Sequence, residues 1–249
     1  MSRGVLVTGG SRGIGAAVAT AFAAIGDRVA VHYGTSRSSA EEVRTALAGT
    51  GHVLVQADLT DPEQVRRMVD EAAEGLGGLS VLVNNAGVFL AHPPLSTSYE
   101  LWQESWGKTL STNLTGAANA TFCALPHLLA SGGGAVVNVS SRGAFRGEPE
   151  CPAYGASKAG LNAFGQSMAQ ALAPHGVTVG TVAPGFVETD MAREVLDGPR
   201  GDEVRAQSPT GRVARPEEVA AAVVWLASDD ARFATGTIID VNGASYLRS

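Results

Sequence analysis

Short runs rich in Val, Leu and Ile alternate with longer helical stretches along the whole 249-residue sequence, and that alternation restricts the chain to few folds. Strand-like runs fall at 4–8, 28–33, 52–56, 79–84, 135–140, 177–182 and 237–241, with helical patterns at 14–25, 39–48, 62–76, 101–130, 153–173 and 216–227. Several strands, Val81-Leu82-Val83 and Ala135-Val136-Val137 among them, are apolar on both faces, as a parallel sheet covered by helices on each side requires. The expected fold is α/β: a doubly wound Rossmann-type parallel sheet of seven strands with helices on both faces. Asp61-Pro62-Glu63 and Arg215-Pro216-Glu217-Glu218 mark two helix starts, with Pro in the first turn and acids at the positive dipole end. No repeat, low-complexity tract or linker divides the chain, so one domain over residues 1–249 is expected.

Composition narrows the function. A hydrophobic share of 45% against 17% charged supports a packed core and excludes a disordered acidic chain. The net charge of −6 and scattered arginines leave no basic patch to neutralise a phosphate backbone, which argues against nucleic acid. Cys123 and Cys151, without a CxxC or a His-rich neighbourhood, indicate neither a disulfide framework nor a metal site; both read as reduced, partly buried thiols. The longest uninterrupted apolar run, 219–227, falls far short of the ~20 residues of a spanning helix, so no membrane partner is expected. A strand and a glycine turn stand where a secretory signal would, making the cytoplasm the expected compartment.

The first strand runs straight into Thr8-Gly9-Gly10-Ser11-Arg12-Gly13-Ile14-Gly15, and a helix follows at once. Glycines permit the tight turn and let backbone N–H groups approach a pyrophosphate, whose charge the positive helix end stabilises. An ordinary Gly-rich loop is the plain alternative. At the end of the second strand an NAD-selective site places an acid for the adenosine ribose, whereas this chain reads His32-Tyr33-Gly34-Thr35-Ser36-Arg37. No acid repels a 2′-phosphate there, and Arg12, Ser36 and Arg37 can supply charge and hydrogen bonds to one. NADP(H) is therefore expected over NAD(H), the alternative for Arg37 being a solvated loop charge. Asp58, after the third strand, either accepts a hydrogen bond from an adenine amino group or caps a turn. Asn84-Asn85-Ala86-Gly87 ends the fourth strand, on the side of a parallel sheet where ligands sit.

Tyr154-Gly155-Ala156-Ser157-Lys158 places a phenol and an ammonium four residues apart, on one face of the expected helix, where they can converge on one ligand. With four tyrosines and two lysines in the chain that spacing rarely arises by chance; the alternative is a surface contact on a helix. A free phenol titrates at about 10, too high for ready proton exchange at neutrality, but a fixed lysine cation and an oxidised nicotinamide nearby favour phenolate. Tyr154 is then a usable acid or base. Ser141 can donate a hydrogen bond to the substrate oxygen as charge develops there, with adjacent Ser140 as the competitor.

Together these motifs resemble the short-chain dehydrogenase/reductase family over essentially the whole chain. The family's glycine turn matches residues 8–15, its NNAG string 84–87 and its YxxxK pair Tyr154 and Lys158; a Ser-to-Tyr spacing of thirteen selects Ser141. The resemblance implies four catalytic residues, Asn113, Ser141, Tyr154 and Lys158, with Asn113 holding a water in a proton relay to Lys158. It implies cofactor contacts from Gly9, Gly10, Ser11, Arg12, Gly13, Ile14 and Gly15, and from Tyr33, Gly34, Thr35, Ser36 and Arg37. Further implied contacts come from Asp58, Leu59, Asn85, Ala86, Gly87, Tyr154 and Lys158. Pro184, Gly185, Val187 and Thr189 are placed at the nicotinamide end, and the family transfers the pro-S hydride. A homotetramer built through the helices around Asn113 and Tyr154 is implied as well. Val241-Asn242-Gly243-Ala244 departs from the family's common VDGG ending, which bears on subunit contacts near the tail.

By family analogy the variable substrate wall lies at 88–98, 143–151 and 186–209. Phe89, Phe145 and Phe186 there could form an apolar pocket or simply pack. Arg142 and Arg146 could attract an acidic substrate or pair with Glu148 and Glu150 at the surface. The pattern is close to the 3-oxoacyl-carrier-protein reductase branch. Such reductases tend to place Arg or Lys before the fifth strand for an acidic carrier, where this chain has Leu128-Leu129-Ala130-Ser131-Gly132. The expected function is NADP(H)-dependent hydride transfer to or from the carbonyl or secondary-alcohol carbon of a small molecule, with 3-oxoacyl-carrier-protein reduction as the alternative. A non-catalytic NADP(H)-binding regulator is the alternative of another class.

Overall fold

The computed structural model describes residues 2–248, the side chain of Glu194 excepted. Its strands are β1 (Gly4–Val7), β2 (Arg28–Tyr33), β3 (Val53–Gln56), β4 (Val81–Asn84), β5 (Gly134–Val139), β6 (Val177–Pro184) and β7 (Ile238–Val241). The longer helices are α1 (Gly13–Ala24), α2 (Arg37–Ala46), α3 (Pro62–Leu76), α4 (Tyr99–Leu110) and α5 (Gly116–Ala130). After β5 come α6 (Gly143–Arg146), α7 (Pro152–Leu172), α8 (Asp190–Asp197), α9 (Gly201–Ala206) and α10 (Pro216–Leu226). The strands form one parallel sheet in the order β3-β2-β1-β4-β5-β6-β7.

Strand alternation explains the layers, because successive side chains leave opposite faces of the sheet. Val5 and Val7 with Val81 and Val83 pack against Val18 and Phe22 of α1 and Val219 and Val223 of α10. Leu6 and Leu82, which lie between them in sequence, enter a second core with Met68 of α3, Ala124 and Leu128 of α5 and Leu172 of α7. Fully burying a side chain such as Phe22 or Leu82, each 0% exposed, stabilises the fold by roughly 1.5–3 kcal/mol. The order reverses at β1: the chain steps outward to β3 and returns on the other side as β4. The ends of β1 and β4 thus flank the crevice where such folds bind ligands.

β2 and α3 have the expected bounds, and Asp61 caps α3 by accepting from Glu63 N (2.9 Å) and Gln64 N (3.2 Å). The single helix expected at 101–130 is instead α4 and α5 joined by a π-helical segment, Ser111–Thr115. One wider turn barely disturbs the apolar period, so the sequence does not announce it. The short helices α6, α8 and α9 were not expected, being too brief for a period to register. Both cysteines are free, but Cys151 is wholly rather than partly buried, and burial pushes its thiol up to about 11. No helix among the described residues is long and apolar enough to cross a membrane.

Candidate active site

The glycine turn is held from two sides. Thr8 Oγ1 accepts from Asn85 N (2.9 Å) and Ala86 N (3.1 Å) while donating to Val83 O (3.2 Å). Asn85 Nδ2 in turn donates to Thr8 O (2.9 Å) and Gly9 O (3.1 Å), so the NNAG string and the glycine turn form one unit. On the other side His32 Nδ1 accepts from Gly9 N (2.9 Å), and Nε2 donates to Ala57 O (3.1 Å). Burial holds His32 neutral, pulling its pKa down to about 4. Neither Thr8 nor His32 stood among the expected contacts; both act on backbone, and no spacing signals that.

Gly9 and Gly13 adopt φ of 64° and 55°, which favours glycine, and a Cβ on Gly15 would collide with the Gly9 carbonyl. Among the described residues, no acceptor takes the N–H groups of Gly13, Ile14 and Gly15 at the start of α1. Three free donors at a positive helix end, closed to side chains, fit a pyrophosphate. Arg12 and Arg37 are exposed beside the turn and, among the described residues, form no ion pair. Gly34, Thr35 and Ser36 are likewise exposed, with Ser36 Oγ 2.9 Å from Ser39 Oγ. That surface suits a 2′-phosphate, since it offers cations and hydroxyls without a carboxylate at the strand end.

Three of the expected contacts are also engaged within the protein. Tyr33 is only 7% exposed, its ring in the α1 side core, because the strand's alternation turns it inward. Leu59 is buried against the other face. Asp58 does cap a turn, accepting from Thr60 N (2.9 Å) and Thr60 Oγ1 (2.8 Å), which lowers its pKa; its carboxylate remains half exposed.

Tyr154 and Lys158 lie on one face of α7, with Lys158 Nζ 5.8 Å from the phenol ring centroid. Lys158 is 3% exposed, donates to Val139 O (2.8 Å), and is pulled by burial down to about 8. Burial pushes Tyr154 up to about 12, with Ser141 opposing the rise and Glu148 adding to it. The lowering expected from the lysine together with an oxidised nicotinamide concerns the loaded site; in the chain alone desolvation dominates and keeps the phenol protonated. Of the two serines, Ser140 is buried and donates to Lys158 O (3.2 Å), whereas half-buried Ser141 stands beside the phenol and accepts from Gly143 N (3.0 Å).

Asn113 is fully buried in the π-helical segment. Its Oδ1 accepts from Val88 N (2.8 Å), and its Nδ2 donates to Val88 O (3.0 Å) and Ser157 Oγ (3.1 Å). Both Asn113 Oδ1 and Lys158 Nζ face Gly87, where a Cβ would lie 3.3 Å and 3.4 Å from them. Thr189 reaches the glycine turn from the other wall: a Cβ on Gly13 would lie 3.1 Å from its Cγ2. Gly185 N donates to Val241 O (3.1 Å), Pro184 O accepts from Arg142 N (2.8 Å), and Val187 is buried.

The phenylalanines divide. Phe89 meets the Tyr154 ring edge-on at 4.8 Å, while Phe145 and Phe186 lie under the guanidinium groups of Arg248 (4.5 Å) and Arg142 (5.1 Å). Arg142 is 3% exposed and donates to Ser245 Oγ (2.6 Å) and Gln207 Oε1 (2.5 Å). It therefore ties the end of β5 to α9 and the tail, with no ion pair to Glu148 or Glu150.

A parallel sheet with a free-donor glycine cradle at its switch point and a half-buried phenol and a buried ammonium beside it defines a dinucleotide-binding oxidoreductase fold. The family model described as enoyl-(acyl carrier protein) reductase matches residues 9–244. The chain is 36% identical over 249 residues to 3-oxoacyl-[acyl-carrier-protein] reductase FabG of Staphylococcus aureus, covering 99% of each. It is 40% identical over 243 residues to cis-4-hydroxycyclohexanecarboxylate dehydrogenase of Sinomonas cyclohexanicum, covering 97% of this chain and 95% of that one. A short chain dehydrogenase from Burkholderia cenocepacia, solved in complex with NADP, superposes with a TM-score of 0.87 at 35% identity, covering 98% and 97% of the two chains. The chain belongs to the short-chain dehydrogenase/reductase family.

Proposed function

We propose that this chain is an NADP(H)-dependent oxidoreductase interconverting a ketone and a secondary alcohol, with Tyr154 as acid/base. The observation that carries the reading is the meeting of Ser141, Tyr154 and Lys158 beside a glycine cradle with free N–H donors. When bound, the reduced cofactor supplies the hydride. The protein's part is the proton: Ser141 hydrogen-bonds the substrate oxygen, and Tyr154, protonated in the resting chain, gives that oxygen its proton as charge develops. Lys158 stabilises the phenolate left behind, and its ammonium is within reach of neutral pH chemistry because burial draws it down to about 8. Asn113 Oδ1 retains a lone pair toward Gly87, which suits it to hold a relay water next to Lys158.

A single unit over 1–249 binds the cofactor and performs the chemistry in this reading, and the cytoplasm is its compartment. The names of the two relatives, a 3-oxoacyl reductase and a hydroxycyclohexanecarboxylate dehydrogenase, share the ketone and secondary-alcohol couple. Phe89 supplies an apolar wall at the phenol. Carrier-protein reduction is the second reading, favoured by 36% identity over the whole length. Against it, the corner at 128–132 offers no basic side chain to an acidic carrier. Tyr99, Leu101, Phe122 and Leu129 leave an apolar surface on α4 and α5, the face we assign to a homotetramer.

A panel of ketones and acyl thioesters, free and carrier-linked, followed by NADPH oxidation, tests the assignment; a non-catalytic regulator would bind NADPH and oxidise it with none of them. The Arg12→Ala/Arg37→Ala double variant is expected to weaken NADPH by ~10-fold or more while leaving NADH within about twofold, since charge-assisted bonds to the 2′-phosphate are worth ~1.5 kcal/mol or more. Equal losses for both cofactors would remove the 2′-phosphate contact.

A further inference from the structure

We propose that His92 is a positioning residue for Tyr154, capping the helix that carries it from the loop that follows β4. This rests on the acid/base reading of Tyr154. Helix α7 starts poorly on its own account. Cys151 occupies the N-cap without a side-chain hydrogen bond, Pro152 has no N–H, and the Ala153 N–H has no acceptor within the helix. Ala153 N donates instead to His92 Nε2 (3.1 Å), across 61 residues of sequence.

The ring is locked for that task. Because Nε2 must accept, Nδ1 carries the proton and donates to Leu90 O (2.7 Å). His92 N donates to Glu150 O (2.8 Å), the ring meets Trp102 of α4 edge-on at 5.4 Å, and the residue is 0% exposed. Every polar atom of the imidazole is used, so its orientation is unique.

The residue beside the capped N–H is Tyr154, whose own amide closes the first turn on Cys151 O (2.9 Å). The same loop places Phe89 against the phenol and Val88 on Asn113. Losing the His92 bond therefore frees the first turn of α7 at the residue before the phenol, whereas the glycine cradle is held by Thr8, Asn85 and His32. The cost falls on proton transfer rather than cofactor binding, since small displacements of a catalytic group lower rate steeply.

His92→Phe keeps the ring against Trp102 and removes both ring hydrogen bonds, while His92→Gln can restore an acceptor for Ala153. In His92→Phe, kcat is expected to fall ~10- to 100-fold with KM for NADPH within about twofold, and in His92→Gln to recover to within a few-fold of the wild type. Hydrogen exchange at the Ala153 amide, slow in the wild-type chain, accelerates in His92→Phe. Wild-type kcat in His92→Phe despite faster exchange overturns the positioning role, as does loss of kcat and NADPH affinity together without rescue by Gln. A rapidly exchanging Ala153 amide in the wild-type chain overturns it without any variant. Tyr154→Phe, assayed alongside, separates the two claims. Full turnover there defeats the acid/base reading itself, whereas loss there with an unaffected His92→Phe defeats only the cap.

Discussion

Ala244 is the described non-glycine residue with positive φ, at 58°, where the family's ending commonly has glycine. Left-handed backbone costs an L-residue roughly 1–2 kcal/mol, partly offset because alanine has less freedom to lose from the unfolded chain. Ala244→Gly is expected to stabilise the protein by ~0.5–1 kcal/mol and raise Tm by a few degrees; a lower Tm in calorimetry would contradict the strain. His32 gives the complementary prediction in pH. Its folded pKa, about 4, lies below the ordinary 6.5, so the native state binds fewer protons than the unfolded chain between those values. Stability is complete above pH 6.5 and is lost as pH falls toward 4, by ~2 kcal/mol at pH 5. A melting series from pH 7 to 5 shows that loss, and His32→Asn flattens it; an equal slope in both would place the acid sensitivity elsewhere. Tyr154 and Lys158 were legible in the sequence as a pair one helical turn apart, and Ser141 only through the family's serine-to-tyrosine spacing. His32 and His92 were not, because each serves backbone groups brought to it only by folding.

Among the elements, the segment carrying α8 and α9 stands apart. Ala192, Leu196, Val204 and Val213, joined by Phe186, form a small core separate from the two that line the sheet. Few buried contacts make for low local stability, so amides of α8 and α9 are expected to exchange by local opening well before those of α1 and α10. Exchange at the rate of the sheet core would show instead that the segment unfolds only with the whole. Arg142 is one of its polar ties, and the sequence offered that residue either an acidic substrate or surface pairing with Glu148 and Glu150. The fold turns the guanidinium inward to Gln207 and Ser245 instead, over sequence separations of 65 and 103 residues. Long helices and buried strands were readable from their periods. The π-helical segment that turns Asn113 inward, and the helices of four to eight residues around the cleft, fall below the length at which a period can be seen.

At the scale of the whole molecule, strand order does what no motif does alone. Crossing from β3 back to β4 sets the NNAG string against the glycine turn, and the crossover from β5 to β6 brings α7 over the same crevice. Doubly apolar strands made that topology legible, and right-handed crossovers between parallel strands leave little choice of arrangement. The central claim is that the Tyr154 phenol delivers the proton while the cradle, elsewhere in the crevice, holds the cofactor. The direct test is Tyr154→Phe, measured for NADPH binding by fluorescence and for NADPH oxidation with a ketone the wild type reduces. Binding is predicted to stay within about twofold while turnover falls by ~10²–10⁴; turnover within a few-fold of the wild type would contradict it.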